Sequence, residues 1–448
     1  MTVTEAVKSA VGLSSSPPPA TREQMRDAKL PIQYRDSCAN LLIPLNRCRY
    51  EEYYLPWKCE TERHSYEKCQ YEEFKKRVAK MDELRAAKGE GIEYNGNGLT
   101  KGLGIDVSTL IMAEGSILVT GANGGLGKAF TSQFLSSPHS QTHHGIYTVR
   151  NLSSAPKLQE ILASASPHHH VIPLDLSSLA SVRVTASALK KRISSGEIPP
   201  IRTMVLNAAV QQVDGKTYTI DGFESHFAVN YLANFLFVLL MLGTVDSESG
   251  RIICISTALH DSFHWMNRSI FLDGEREMFK DMKSVADGGE DGADKEKAGM
   301  RRYGTSKLLL VMFMYELQCR LNSSPTLSKI SILTLDPGGM GGAELTKRGS
   351  ATSKFLWTHV MPTVQNWAVY FWPNGILRTN EKSAGDVLKA CFDTEDLGEC
   401  PKALFLNGSE IGQASVEARD EGKQRILWGG SLGLVGLVEG ETVLEDWR

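Results

Sequence analysis

The sequence predicts an α/β protein: a doubly wound parallel sheet preceded by a small, disulfide-linked α-helical hairpin. Three observations carry this. From about residue 115 onward, short apolar runs alternate with helix-like stretches, the pattern of parallel strands joined by crossover helices. The first run leads straight into a glycine-rich turn, "SILVTGANGGLGKAF". Four of the eight cysteines fall in one stretch, Cys38, Cys48, Cys59 and Cys69, as two pairs with nine residues inside each.

Size and composition set the frame. A chain of 448 residues is too long for one average domain and suggests about two to three units. Hydrophobic content of 42% and 23% charged residues are ordinary globular values. A net charge of −3 gives no reason to expect a nucleic-acid partner. Cys254, Cys319, Cys391 and Cys400 are scattered and read as ordinary thiols.

The N-terminus has no long apolar core, so it does not read as a secretory signal. Its first arginine is Arg22, which argues against a mitochondrial presequence, and Thr2 excludes N-myristoylation. "SSSPPPA" makes residues 1–19 a flexible leader. The longest apolar run, Phe227 to Val245, is long enough to cross a membrane but holds Asn230 and Asn234. It reads as a buried helix, so no transmembrane span is expected.

Residues 20–88 form the hairpin. On a helix, a step of ten leaves two side chains about 80° apart and roughly 15 Å apart along the axis. Cysteines on one helix cannot then bond each other, but two antiparallel helices can pair them. Of the three connectivities that four cysteines allow, the nested one, Cys38–Cys69 with Cys48–Cys59, suits a short hairpin. Pro56 suits a first helical turn, and Pro44 should kink the first helix or shift its start. Structural zinc sites space paired ligands two to four residues apart, so no metal is expected. A reduced helical hairpin is the plainer alternative.

"MRDAKLPIQYRDSCANLLIPLNRC" with "LPWKCETERHSYEKCQYEEFKKRV" resembles the twin CX9C accessory subunits of mitochondrial complex I, NADH dehydrogenase (ubiquinone) 1 beta subcomplex subunit 7. The resemblance implies a non-catalytic subunit with complex I subunits as partners. It also implies a location on the intermembrane-space side of the inner membrane. Glycine-rich residues 89–104 read as a linker, and residues 105–448 as the sheet domain.

Within that domain "GIYTVR", "HHVIPLDL", "RTMVLNAA", "GRIICIST" and "KISILTLDPGG" read as strands. In the turn, Gly121, Asn123, Gly125, Leu126 and Gly127 form a candidate phosphate cradle, because glycine lets backbone approach a pyrophosphate at a helix N-terminus. Between Lys128 and Gln159 there is no Asp or Glu to bind a ribose hydroxyl, and Arg150 sits where the second strand ends. An arginine there favours a 2′-phosphate, hence NADP. Tyr303 and Lys307 in "RRYGTSKLLL" are four residues apart, on one helix face. A phenol with a pKa of about 10 is expected to be lowered by that ammonium. "RIICISTALHD" supplies a hydroxyl, Thr257 by strand register or else Ser256.

These residues together resemble the short-chain dehydrogenase/reductase family, with its Rossmann-type fold. The resemblance implies an oxidoreductase acting on a small carbonyl or alcohol, with NADP the cofactor that Arg150 favours. Tyr303 would be the acid-base and Lys307 its helper. Thr257 or Ser256 would hold the substrate oxygen, and Asn230 would organise a proton-relay water. Asp175 would contact the adenine side, Asn207 the nicotinamide ribose, and Pro337 and Gly338 the rest of the cofactor. "PGGMGGAEL" lacks the family's usual threonine contact.

Between Asp261 and Arg302 lies an insertion whose centre, "VADGGEDGADKEKAG", reads as a mobile acidic loop. "FHWMNRSIF" could line a pocket or pack on the surface. The aromatic stretch Phe355 to Leu377 suggests an apolar substrate, a partner, or peripheral membrane contact. One alternative is that one module is inert. Another is that two neighbouring genes have been joined, leaving only the complex I role or only a reductase, the latter in the cytoplasm.

Overall fold

The computed structural model describes residues 20–30, 35–51, 59, 61–66, 68–69, 73, 76, 114–163, 168–271, 276–290, 293–340 and 360–448. The expected leader and linker, Pro56, and the "GGAEL" continuation lie outside them. The chain divides into two compact units, Met1–Asp106 and Val107–Arg448.

In the first unit, helix α1 (Arg22–Asp27) is started by a capping box: Thr21 and Gln24 each bond the other's backbone N–H. Helix α2 (Ala39–Glu51) follows. Cys38 is bonded to Cys69 and Cys48 to Cys59, the nested pairing. The core is small: Leu30, Ala39, Leu42 and Leu45, with Met25, Ile43 and Tyr66 against it. Pro44 does not shift the start of α2 but sits inside it. It removes one backbone hydrogen bond, and half-cystines just before α2 and within it tie the helix down.

The second unit is an eight-stranded sheet flanked by helices. Its strands are β1 (Gly115–Val119), β2 (His143–Val149), β3 (His169–Pro173), β4 (Ile201–Leu206), β5 (Arg251–Ile255), β6 (Ser331–Asp336), β9 (Phe405–Asn407) and β10 (Glu410–Gly412). Their order is β10-β9-β6-β5-β4-β1-β2-β3, parallel throughout except for β10 against β9. A separate two-stranded ladder joins β7 (Gly339–Met340) to β8 (Leu377–Arg378).

Strand alternation divides the core. Leu118, Ile146, Met204, Ile252 and Ile332 face one layer. That layer holds α5 (Leu179–Ser194), α6 (Ala233–Met241), α8 (Lys295–Ser323) and α11 (Glu421–Val435). Ile117, Val119, Tyr147, Val205 and Leu333 face the other, with α3 (Gly125–Ser136), α4 (Pro156–Ala163) and α10 (Asn380–Phe392). Strands apolar on both faces are what a parallel sheet covered by two helix layers requires.

The apolar run begins as a π-helical segment, Phe227–Leu232, and continues into α6. It is the one helix among the described residues long and apolar enough to span a membrane, and 89% of it is buried in the unit. The expected mobile loop is helical at both ends, Val285–Asp287 and Lys295–Gly299. Asp281 caps α7 (Met282–Asp287) at Ser284 N, and Asp294 caps α8 at Lys297 N. One acidic residue of that stretch, Asp294, is thus an N-cap, while Val285, Ala286 and Ala298 are buried.

Candidate active site

A cavity of about 400 Å³ opens at the C-terminal ends of β1, β4, β5 and β6, where a doubly wound sheet binds its ligands. Gly121 turns the chain there with φ +64, and a Cβ on it would lie 2.8 Å from the Ala208 Cα. Only glycine combines that backbone with that approach. Gly124, Gly125 and Leu126 line the same wall, where α3 begins. Asn207 pins the turn: its Nδ2 donates to Thr120 O at 2.9 Å and Gly121 O at 3.1 Å.

Eleven of the sequence-predicted residues line this cavity: Gly121, Gly125, Leu126, Arg150, Asn207, Ser256, Thr257, Tyr303, Lys307, Pro337 and Gly338. Four do not. Gly127 is buried, and a Cβ on it would lie 2.6 Å from Gly121 O, so its glycine serves close packing of α3 on the turn. Asn123 turns outward to donate to Ser154 O. Asp175 accepts from Ser177 N and Oγ, and sits 3.9 Å from the Arg150 Nε.

The Asn230 amide is wholly engaged. Its Oδ1 accepts from Val210 N at 2.7 Å, and its Nδ2 donates to Val210 O and to Ser306 Oγ. It thereby braces the cavity wall against α8.

Tyr303 and Lys307 project from α8, Lys307 almost fully buried. The Lys307 Nζ lies 5.7 Å from the Tyr303 ring centroid and donates to Ile255 O at 2.8 Å. Burial holds the ammonium down to about 8. Burial also pushes the phenol up, with the Asp336 carboxylate adding to it. The expected lowering of the phenol by Lys307 is not found: both causes recorded for Tyr303, burial and the Asp336 carboxylate, raise it, which keeps it a protonated phenol at neutral pH.

The Ser256 Oγ turns toward Lys307 O at 3.3 Å. The Thr257 Oγ1 only accepts, from Leu259 N at 3.5 Å, so its own proton is left to donate. Arg378 braces the backbone just before the lining residues Pro337 and Gly338. It is fully buried and donates to Asp336 O at 2.7 Å and to Gly375 O, while Asp336 Oδ1 accepts from Gly338 N.

Sequence reasoning missed Gly124, Leu174, Gln211, Leu259 and Met300, all of which line the cavity. It also missed His226, whose Nδ1 pairs with Glu224 at 2.6 Å and whose Nε2 accepts from Gln212 N. Only Leu174, directly after β3, carried a signal in its strand-end position. "FHWMNRSIF" does not line the cavity; Phe263 and Trp265 are exposed.

The glycine turn gives room and α3 its N-terminal N–H groups for a pyrophosphate, and Arg150 and Tyr303 line the same cavity. These residues fit a nicotinamide dinucleotide. Sheet order, turn and Tyr–Lys pair define an oxidoreductase of the doubly wound class.

Residues 98–265 match the short chain dehydrogenase family. The short-chain dehydrogenase iccH of Talaromyces variabilis is 36% identical over 363 residues, 75% of this chain and 99% of that protein. Human retinol dehydrogenase 13 is 27% identical over 74% of this chain and 87% of its own. The chain belongs to the short-chain dehydrogenase family. Its N-terminal part, residues 19–81, matches a second family, the NADH-ubiquinone oxidoreductase B18 subunit. There it is 58% identical over 66 residues to NADH dehydrogenase [ubiquinone] 1 beta subcomplex subunit 7 of Arabidopsis thaliana, spanning 15% of this chain and 64% of that subunit.

Proposed function

We infer that the second unit reduces a small, apolar carbonyl to an alcohol with NADPH, while the first is a non-catalytic segment that docks with complex I subunits. The observation that supports the reductase reading is one cavity holding the glycine turn, Arg150, Thr257 and a protonated Tyr303.

When bound, the reduced nicotinamide supplies a hydride to the carbonyl carbon. Thr257 donates a hydrogen bond to the carbonyl oxygen, as a fixed donor at developing charge should. Tyr303 transfers its phenolic proton to that oxygen, which completes the alcohol. Lys307, still largely protonated at neutral pH, steadies the phenolate left behind. Asn230 and Arg378 act at a distance by bracing the cavity's lining. In this reading Arg150 binds the 2′-phosphate, and its neighbour Asp175 yields to it. Binding of the first unit to complex I puts the chain on the mitochondrial inner membrane, on its intermembrane-space side. That reading rests on the family match and the paired cysteines.

Tyr303→Phe keeps the ring and removes the proton donor. Assayed with NADPH over a panel of apolar ketones and aldehydes, it should lower turnover by roughly 10² or more, with NADPH affinity retained. Near-full turnover with intact NADPH binding would assign the proton to another group. Arg150→Asp should shift the NADPH:NADH affinity ratio toward NADH in calorimetry; an unchanged ratio removes Arg150 from cofactor choice.

A further inference from the structure

The second unit carries an uncharged aromatic face that the reaction does not use. Helix α9 (Met361–Phe371) and the turn after it run from residue 360 to 377 without one Asp, Glu, Lys, Arg or His. Its inner side is anchored by Gln365, which is buried. Roughly 160° around the helix, Trp367 is 67% exposed, and Tyr370, Phe371 and Trp372 are 75%, 59% and 70% exposed. Val364, Trp367 and Phe371 recur at i, i+3 and i+7, so they form one stripe. Tyr370 meets Phe371 at 5.1 Å between ring centroids, and Phe371 meets Trp372 at 5.9 Å.

We propose that this face docks the protein on a neutral phospholipid surface. Three arguments select that occupant. First, residues 360–377 carry no charge, and the one charged side chain that lines the depression beside Phe371 and Trp372 among the described residues is the Glu410 carboxylate, which repels an anionic headgroup. Second, aromatic side chains present about 150–250 Å² each, so these four expose roughly 500–600 Å². A two-fold dimer across them would bury about 1,100 Å², well short of the 2,000 Å² or more of obligate homodimers. Third, Trp and Tyr are the side chains that settle at a membrane–water boundary, where one edge is apolar and the other wet. A helix lying in that plane buries its apolar side about 5–10 Å deep.

The position adds a consequence. Helix α9 leads into β8, which pairs with β7, and both residues of β7, Gly339 and Met340, line the catalytic cavity. Docking on α9 therefore holds that wall of the cavity near the lipid, from which an apolar substrate can enter. Only this last point rests on the proposed reductase reading; the docking does not.

The test uses the full chain and vesicles of pure phosphatidylcholine. The native protein should float with the vesicles. Trp367→Ser/Tyr370→Ser/Phe371→Ser should lower the bound fraction at least about tenfold with an unchanged melting temperature. Val184→Ser/Ile220→Ser, two exposed apolar positions elsewhere on the surface, should leave binding unaltered. Should the triple variant misfold, brominated phosphatidylcholine gives a second readout. It should quench native tryptophan fluorescence, and quench Trp367→Phe/Trp372→Phe much less, since that variant keeps the apolar face. The proposal is overturned if native protein does not float, or if the triple variant floats equally well. It is also overturned if light scattering finds a native dimer that the triple variant disperses, which would make the face a contact between copies.

Discussion

The two units hold themselves together by different physics. Among the described residues, the first buries four core side chains in its cluster and ties its chain with two disulfides. The second packs apolar strands between two helix layers, with Phe235, Phe313 and Trp428 in mutual ring contact at its centre. A small unit cannot bury enough apolar surface to offset its chain entropy, so covalent links supply what packing does not. The comparison teaches that one chain can carry a redox-dependent fold and a redox-indifferent one.

The strongest way to sharpen that contrast is to damage each unit by its own mechanism. Phe235→Ala empties a fully buried site and should cost the second unit about 3–5 kcal/mol. Chemical denaturation followed by near-UV dichroism should show it, while disulfide mapping of the first unit stays as it is. Removing one link, with Cys38→Ser/Cys69→Ser, should cost the first unit about 2–4 kcal/mol and leave the second unit's melting temperature in place.

The smallest effect is a pH dependence confined to the second unit. Burial lowers the pKa of His260, whose Nε2 must stay unprotonated to accept from Ser415 N at 3.0 Å. His143, His144 and His170 are lowered for the same first cause. Below the ordinary histidine value the unfolded chain binds more protons than the folded one. Stability is then full above about pH 6.5 and is lost as pH falls below it. Thermal melts from pH 7.5 to 5 should show the decline, and His260→Gln should reduce its slope. A flat profile in the native protein would remove the neutral histidines from the account.

Much of this was legible in the sequence, for physical reasons. Strands buried on both faces are continuous apolar runs, so the parallel sheet could be read. Gly121 is forced by backbone geometry, and a Tyr–Lys pair four apart must share a helix face. What stayed hidden depends on long-range packing. Strands β9 and β10 are three residues each and carry no periodicity. Asp294 looks like loop until the helix it caps is seen. The Arg378 clamp joins carbonyls that are far apart in sequence. For Tyr303 the sequence shows the neighbouring ammonium but not the depth of burial, which decides the direction of its pKa.

The contrast between the units is tested most directly by scanning calorimetry of the full chain with and without a strong thiol reductant. The reductant should abolish the first unit's transition and leave that of the second, whose four cysteines, Cys254, Cys319, Cys391 and Cys400, are free thiols, within a degree or so of its original midpoint. A first unit that melts unchanged after complete reduction, or a second unit whose midpoint falls with it, would contradict the account.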